Sequence, residues 1–97
     1  MNLDQFKNVM IQKLNENEHK GGWSTDTLQQ LLTKLCAEAE ELMGELAAWN
    51  IDADAVVKEC ADVANFAYAI ADRVTQLHPK ELNMWPNGIP AGAEEDS

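Results

Sequence analysis

Two stretches decide the fold: Lys34-Leu35-Cys36-Ala37-Glu38-Ala39-Glu40-Glu41-Leu42-Met43-Gly44-Glu45 and Lys58-Glu59-Cys60-Ala61-Asp62-Val63-Ala64-Asn65-Phe66. Each carries two acids three residues apart, Glu38/Glu41 in the first and Glu59/Asp62 in the second. Neither alternates apolar and polar residues as a half-buried strand does, and good helix formers dominate both. On a helix, residues three apart share a face, and like charges so placed cost about 0.2–0.5 kcal/mol per pair. The simplest compensation for two such pairs is a hard cation, because carboxylate oxygens are what Mg²⁺ or Mn²⁺ selects.

Outward from the first acid pair, apolar residues recur at Leu28, Leu32, Leu35, Ala39, Leu42, Leu46 and Trp49. Spacings of four and three make this a seam for packing on another helix. Lys34, Glu38, Glu41 and Glu45 run one position earlier, about 100° around the helix, so the acids border the packed face. Ser24 is the expected N-cap, with Asp26 in the first turn. Trp23 before that cap and Leu28 after it suit a hydrophobic staple. Asn50 ends this helix, and Asp52 caps the next one.

The second acid pair lies on a helix built the same way. Its seam is Val56, Cys60, Val63, Ala67, Ile70, Val74 and Leu77, with Glu59, Asp62, Phe66, Ala69 and Arg73 one position earlier. Val57, Ala61, Ala64, Tyr68 and Ala71 add a further apolar stripe. A helix so apolar and alanine-rich belongs at the centre of a bundle. An earlier helix spans residues 2–19, with Asn2 as N-cap and Gly21-Gly22 as its stop. Pro79 ends the last helix near Leu77 or His78. Residues 79–84 suit a short helical turn, and Trp85-Pro86-Asn87-Gly88-Ile89-Pro90 is non-helical. The fold expected is therefore all-α: an antiparallel bundle of three main helices per chain, completed as a four-helix core by oligomerisation. Residues 1–86 form the helical domain, and residues 87–97 an acidic, flexible tail.

The chain has 97 residues and a formal net charge of −10. Such a balance argues against a nucleic-acid duplex or an anionic membrane as partner. It leaves room for a nucleotide, because a bound metal inverts the local charge. Cys36 and Cys60 read as reduced, buried thiols. No apolar run is long enough to span a membrane, and the first residues lack the form of a signal peptide. A cytoplasmic, soluble protein is the expectation.

Antiparallel packing of the two acid-bearing helices brings Glu38, Glu41, Glu59 and Asp62 together. Di-iron bundles use Glu-x-x-His motifs, whereas His19 and His78 lie outside both acid motifs. Oxygen-only ligation points to Mg²⁺, with Mn²⁺ as a substitute, and hence to phosphate chemistry. There is no Gly-rich P-loop with Lys-Ser/Thr.

In these motifs the chain resembles the MazG-like all-α nucleoside triphosphate pyrophosphohydrolases. Their Glu-x-x-Glu on one helix and Glu-x-x-Asp on the next are met by Glu38/Glu41 and Glu59/Asp62, and "EAEEL", "ECADVANFAYAIADRV" and the preceding "HKGGW" fit as well. The resemblance covers roughly residues 12–73. It implies a Mg²⁺-dependent hydrolase that cuts between the α- and β-phosphates, releasing monophosphate and pyrophosphate. It places the metal on Glu38, Glu41, Glu59 and Asp62, with Glu45 orienting water or holding a second ion. Trp23 and Trp49 become candidates for contact with the base, with the staple as the alternative for Trp23. Asn65 becomes a candidate for the sugar or base, with capping of a polar gap between helices as its alternative, and Phe66 for the sugar, with core packing as its alternative. Lys20 and Lys34 are the nearest cations for the phosphates. Lys58 departs from the acid often found before the second motif. A homodimer or dimer of dimers acting in nucleotide-pool house-cleaning is the expectation. The rival reading is a non-enzymatic helical dimerisation module whose acidic faces are solvated.

Overall fold

The computed structural model describes residues 1–77. The expected turn at 79–84, the non-helical segment at 85–90, the domain boundary at 86 and the acidic tail lie outside the described residues. Those described form three α-helices and no strand: α1 (Leu3–His19), α2 (Leu28–Leu46) and α3 (Ala53–Gln76). No described helix is long and apolar enough to cross a membrane.

Local chemistry sets each helix start. Asn2 Oδ1 accepts from the Gln5 N–H at 2.8 Å, and Gln5 Oε1 accepts from the Asn2 N–H at 2.7 Å, a reciprocal capping box. Asp52 Oδ1 caps α3 by accepting from the N–H groups of Asp54 and Ala55 at 3.0 and 3.3 Å. α1 stops where expected. Gly21 and Gly22 take φ of +104° and +65°, and the Gly22 N–H reaches back to the Asn17 carbonyl at 2.7 Å. That closure needs left-handed backbone, which glycine adopts without a Cβ penalty.

The start of α2 differs from the sequence expectation. Its N-cap is Thr27, not Ser24, through a box with Gln30 at 3.1 and 2.8 Å. The cause lies on α3. The Arg73 guanidinium donates to three connector carbonyls: those of Asp26, Trp23 (3.3 Å) and Ser24 (3.2 Å). The Asp26 N–H also turns back to the Trp23 carbonyl at 3.0 Å. Residues 23–26 are thus held as a turn, and the helix begins after it. α2 also stops at Leu46, leaving Trp49 in the α2–α3 turn, 98% exposed.

α3 is the central helix, packed against both α1 and α2, which scarcely meet each other. The buried line is rotated from the expected seams. On α2, Leu31 is fully buried while Leu32 is 40% exposed. On α3 the buried residues are Ala61, Asn65, Phe66 and Ala69, whereas Ala67 and Val74 are exposed. Leu31, Phe66 and Ala69 form the core, with Trp23, Leu35 and Ile70 packed on it. Helices α1 and α2 grip α3 from two sides, so the side facing both is buried and the heptad-like seams lie partly open. Cys36, expected inside, is exposed, and Cys60 is half-buried; neither forms a disulfide.

This register predicts an order of destabilisation. Leu31→Ala should cost about 2–5 kcal/mol, the usual range for a buried leucine, and more than Leu32→Ala. Thermal or urea unfolding of both variants measures it, and the reverse order would restore the seam through Leu32.

Candidate metal and phosphate site

Glu38 and Glu41 project from α2, and Glu59 and Asp62 from α3, around the fully buried Ala61. A small side chain there lets the two backbones approach and brings the acids within reach. Glu38, Glu41 and Glu59 each place a carboxylate oxygen within 4.8 Å of the others. Asp62 stands beside this trio and faces α1, where Lys13 Nζ lies 3.7 Å from its Oδ2 and 3.1 Å from Glu16 Oε2. The expected convergence of four acids is therefore three acids plus an aspartate already paired with an ammonium.

Two oxygens define what the trio can do. Glu38 Oε2 and Glu59 Oε2 are buried and have no hydrogen-bond partner among the described residues. A buried lone-pair donor left unsatisfied is costly, and an all-oxygen set with two such atoms fits a hard cation. The electrostatics agree. Burial pushes the Glu38 carboxyl up to about 8, helped by hydrogen bonding to Glu41 and by the charges of Asp62, Glu41 and Glu59. Burial and the Glu41 charge likewise raise Glu59. Asp62 is raised by burial, with Lys13 opposing the shift.

Beside the acids is a cavity of about 100 Å³ whose lining includes Lys13, Asn17, Lys20, Glu38, Asp62 and Phe66. Lys20 and Phe66 thus share this cavity with Glu38 and Asp62, and Phe66 also belongs to the core. Trp23 packs on Phe66 with ring centroids 5.4 Å apart and planes tilted by 49°, an arrangement favoured by the ring quadrupoles. Asn65 is 1% exposed and donates through Nδ2 to the Met10 carbonyl at 2.9 Å, tying α3 to α1. Glu45 is half-buried, one turn beyond Glu41, and outside the converging trio. Lys34 is held by Asp26 at 2.7 Å, at the start of α2. Trp49 stands in solvent, away from the aromatic pair. A larger cavity of about 240 Å³ lies against Gly22, Trp23, Asp72 and Arg73, but none of the four acids lines it.

Sequence reasoning missed Lys13 and the clamp made by Arg73. The signal for Lys13 was present: Phe6, Met10, Lys13 and Asn17 continue one stripe at helical spacing, with a lysine where the apolar run stops. All four are half-buried. Arg73 stands in the acid stripe of α3, but the carbonyls it gathers belong to a turn that no residue pattern announces.

A carboxyl whose pKa is higher folded than unfolded stabilises the fold while protonated. For Glu38 that contribution is fully present below about 4.5 and is lost as pH rises through about 8. Metal-free protein should therefore melt at progressively lower temperature across this window, and Glu38→Gln should flatten the profile. Calorimetry in a chelating buffer measures both, and a wild-type melting temperature that rises through the window would contradict the assignment. In comparisons with known proteins, the chain matches no family model, no curated protein and no solved structure.

Proposed function

We propose that the chain is a Mg²⁺-dependent pyrophosphohydrolase of nucleoside triphosphates, acting in cytoplasmic nucleotide-pool house-cleaning. The observation that carries this reading is the convergence of Glu38, Glu41 and Glu59, with two buried carboxylate oxygens lacking a hydrogen-bond partner among the described residues. The resemblance of the two acid motifs to the MazG-like pyrophosphohydrolases supports it. Those three carboxylates, with Asp62, would hold the ion. A divalent ion there supplies Lewis acidity and neutralises a triphosphate's charge.

The chain's own residues do the rest. The trio fixes where phosphate can approach, since unneutralised anions repel it. A carboxylate of the site that the ion does not fully engage takes the proton of the attacking water. Glu45, one turn beyond Glu41, would orient that water. Trp23 and Phe66 give an apolar wall against which a base or sugar packs. Shape and stacking discriminate weakly, by about 1–3 kcal/mol per methylene-sized difference, so several nucleoside triphosphates should be accepted. Asn65, committed to Met10, serves by holding α1 against this wall.

The chain acts as a homodimer or dimer of dimers. Met43, Leu46, Trp49, Ile51 and Tyr68 are all more than half exposed, while the described core has only four buried hydrophobic residues. A second copy covering such faces would complete the four-helix core. The same apolar surfaces would serve a non-enzymatic dimerisation module, which differs in having no metal-dependent turnover.

Glu41→Gln or Asp62→Asn should abolish turnover and keep the helical fold, because each swap retains shape and removes charge. In ¹⁸O-labelled water the label should enter the monophosphate and not the pyrophosphate. Orthophosphate release, or full activity in either variant, would refute the reading. Replacing Ala64 with a bulky charged residue should dissociate or unfold the assembly. Light scattering reports this, and a folded wild-type monomer at micromolar concentration would exclude the oligomer.

A further inference from the structure

Lys13 is the cation that α1 brings to the acids. Its Nζ lies 3.1 Å from Glu16 and 3.7 Å from Asp62, on the wall of the cavity that Glu38, Asp62 and Phe66 also line. Among the described residues it is the one cation within ion-pair distance of any of the four acids. Burial alone would lower its pKa, but Glu16, Asp62 and Glu59 outweigh that and keep it charged. A gap of 3.7 Å is longer than a hydrogen bond, so Asp62 holds the ammonium by charge and leaves donors free. A flexible stem with three donors can turn to a stronger acceptor without moving α1. Phosphate oxygens are such acceptors.

We propose that Lys13 binds a phosphate of the nucleoside triphosphate and, in doing so, exchanges Asp62 for the substrate, freeing the Asp62 carboxylate for the cation held by Glu38, Glu41 and Glu59. This rests on the pyrophosphohydrolase reading and deepens it. In the free chain Lys13 is the counter-ion of the acid site and competes with the metal for Asp62. With substrate present it becomes part of the phosphate-binding wall. Metal and nucleotide therefore bind with positive coupling that runs through one side chain. Lys20, which lines the same cavity but pairs with no acid among the described residues, lacks this exchange.

The test is isothermal titration of the full 97-residue chain. The ligands are Mg²⁺ alone and Mg²⁺ with an α,β-imido nucleoside triphosphate that is not hydrolysed. Lys13→Met keeps the stem and removes the charge. It should bind Mg²⁺ alone about fivefold more tightly, from loss of a nearby like charge. It should bind the analogue about 10–100-fold more weakly, as for loss of a charge-assisted hydrogen bond. Lys13→Arg should recover most of the analogue affinity. Circular dichroism verifies folding, and Lys13→Gln replaces the methionine variant if that one unfolds. Unchanged analogue affinity alongside tighter Mg²⁺ binding would reduce Lys13 to a counter-ion and overturn the exchange. Wild-type protein that binds Mg²⁺ no better than Glu38→Gln would overturn the metal reading itself, and the exchange with it.

Discussion

Like charges gathered at a half-buried groove set the terms for this structure, with Glu38 and Glu59 half-buried and Glu41 exposed. Glu38 and Glu59 each bury an oxygen that has no hydrogen-bond partner among the described residues, and Glu41 crowds them from the next turn of α2. Such an arrangement opposes folding through both desolvation and mutual repulsion. It persists because α3 is fixed from two sides. Leu31 and Leu35 on α2 press the core around Phe66, and Asn65 ties the opposite side to Met10 of α1. The acids are brought together by packing and not by any attraction of their own.

That division of labour explains the modest core. Leu31, Ala61, Phe66 and Ala69 are its buried hydrophobic residues among those described, and two of them are alanines. Small residues at the centre of α3 shorten the distance between backbones, which draws the acid pairs close but leaves little apolar area to bury. Surface burial contributes roughly 25 cal/mol per Å², so the exposed leucines, tryptophan and tyrosine are the reserve from which an oligomer would draw. Apolar faces and acid groove are two results of one choice of residues.

Much of this was legible in the residues. Three helices, the caps at Asn2 and Asp52, the glycine stop of α1 and the central place of α3 follow from local chemistry and period. The two acid motifs were found because like charges at a shared face are unusual enough to need a cause. Less legible was the rotation of α2 and α3. Each carries apolar residues on more than one stripe, and a pattern cannot tell which stripe meets a helix of the same chain and which stays open. Leu31, one position before Leu32, continues the line of Lys34, Glu38, Glu41 and Glu45 and so was read with the acids and not with the seam. The T-x-x-Q box at Thr27–Gln30 was visible, but Ser24 offered a cap too, and only the distant Arg73 decides between them. Lys13 was hidden by the habit of reading a lysine on a helix as solvated, although its stripe runs inward.

Arg73 grips the connector entirely through backbone carbonyls, those of Trp23, Ser24 and Asp26. Every residue presents the same carbonyl, so the set of this turn is independent of the side chains at Ser24 and Thr25, both exposed. The loop is therefore a socket: its shape is dictated from α3, while its outward chemistry is free to change. Substitutions there would alter what the protein meets at that end without disturbing Trp23 on Phe66. A fixed frame with an exchangeable rim would let the residues at that end change while the packing of α3 stays as it is.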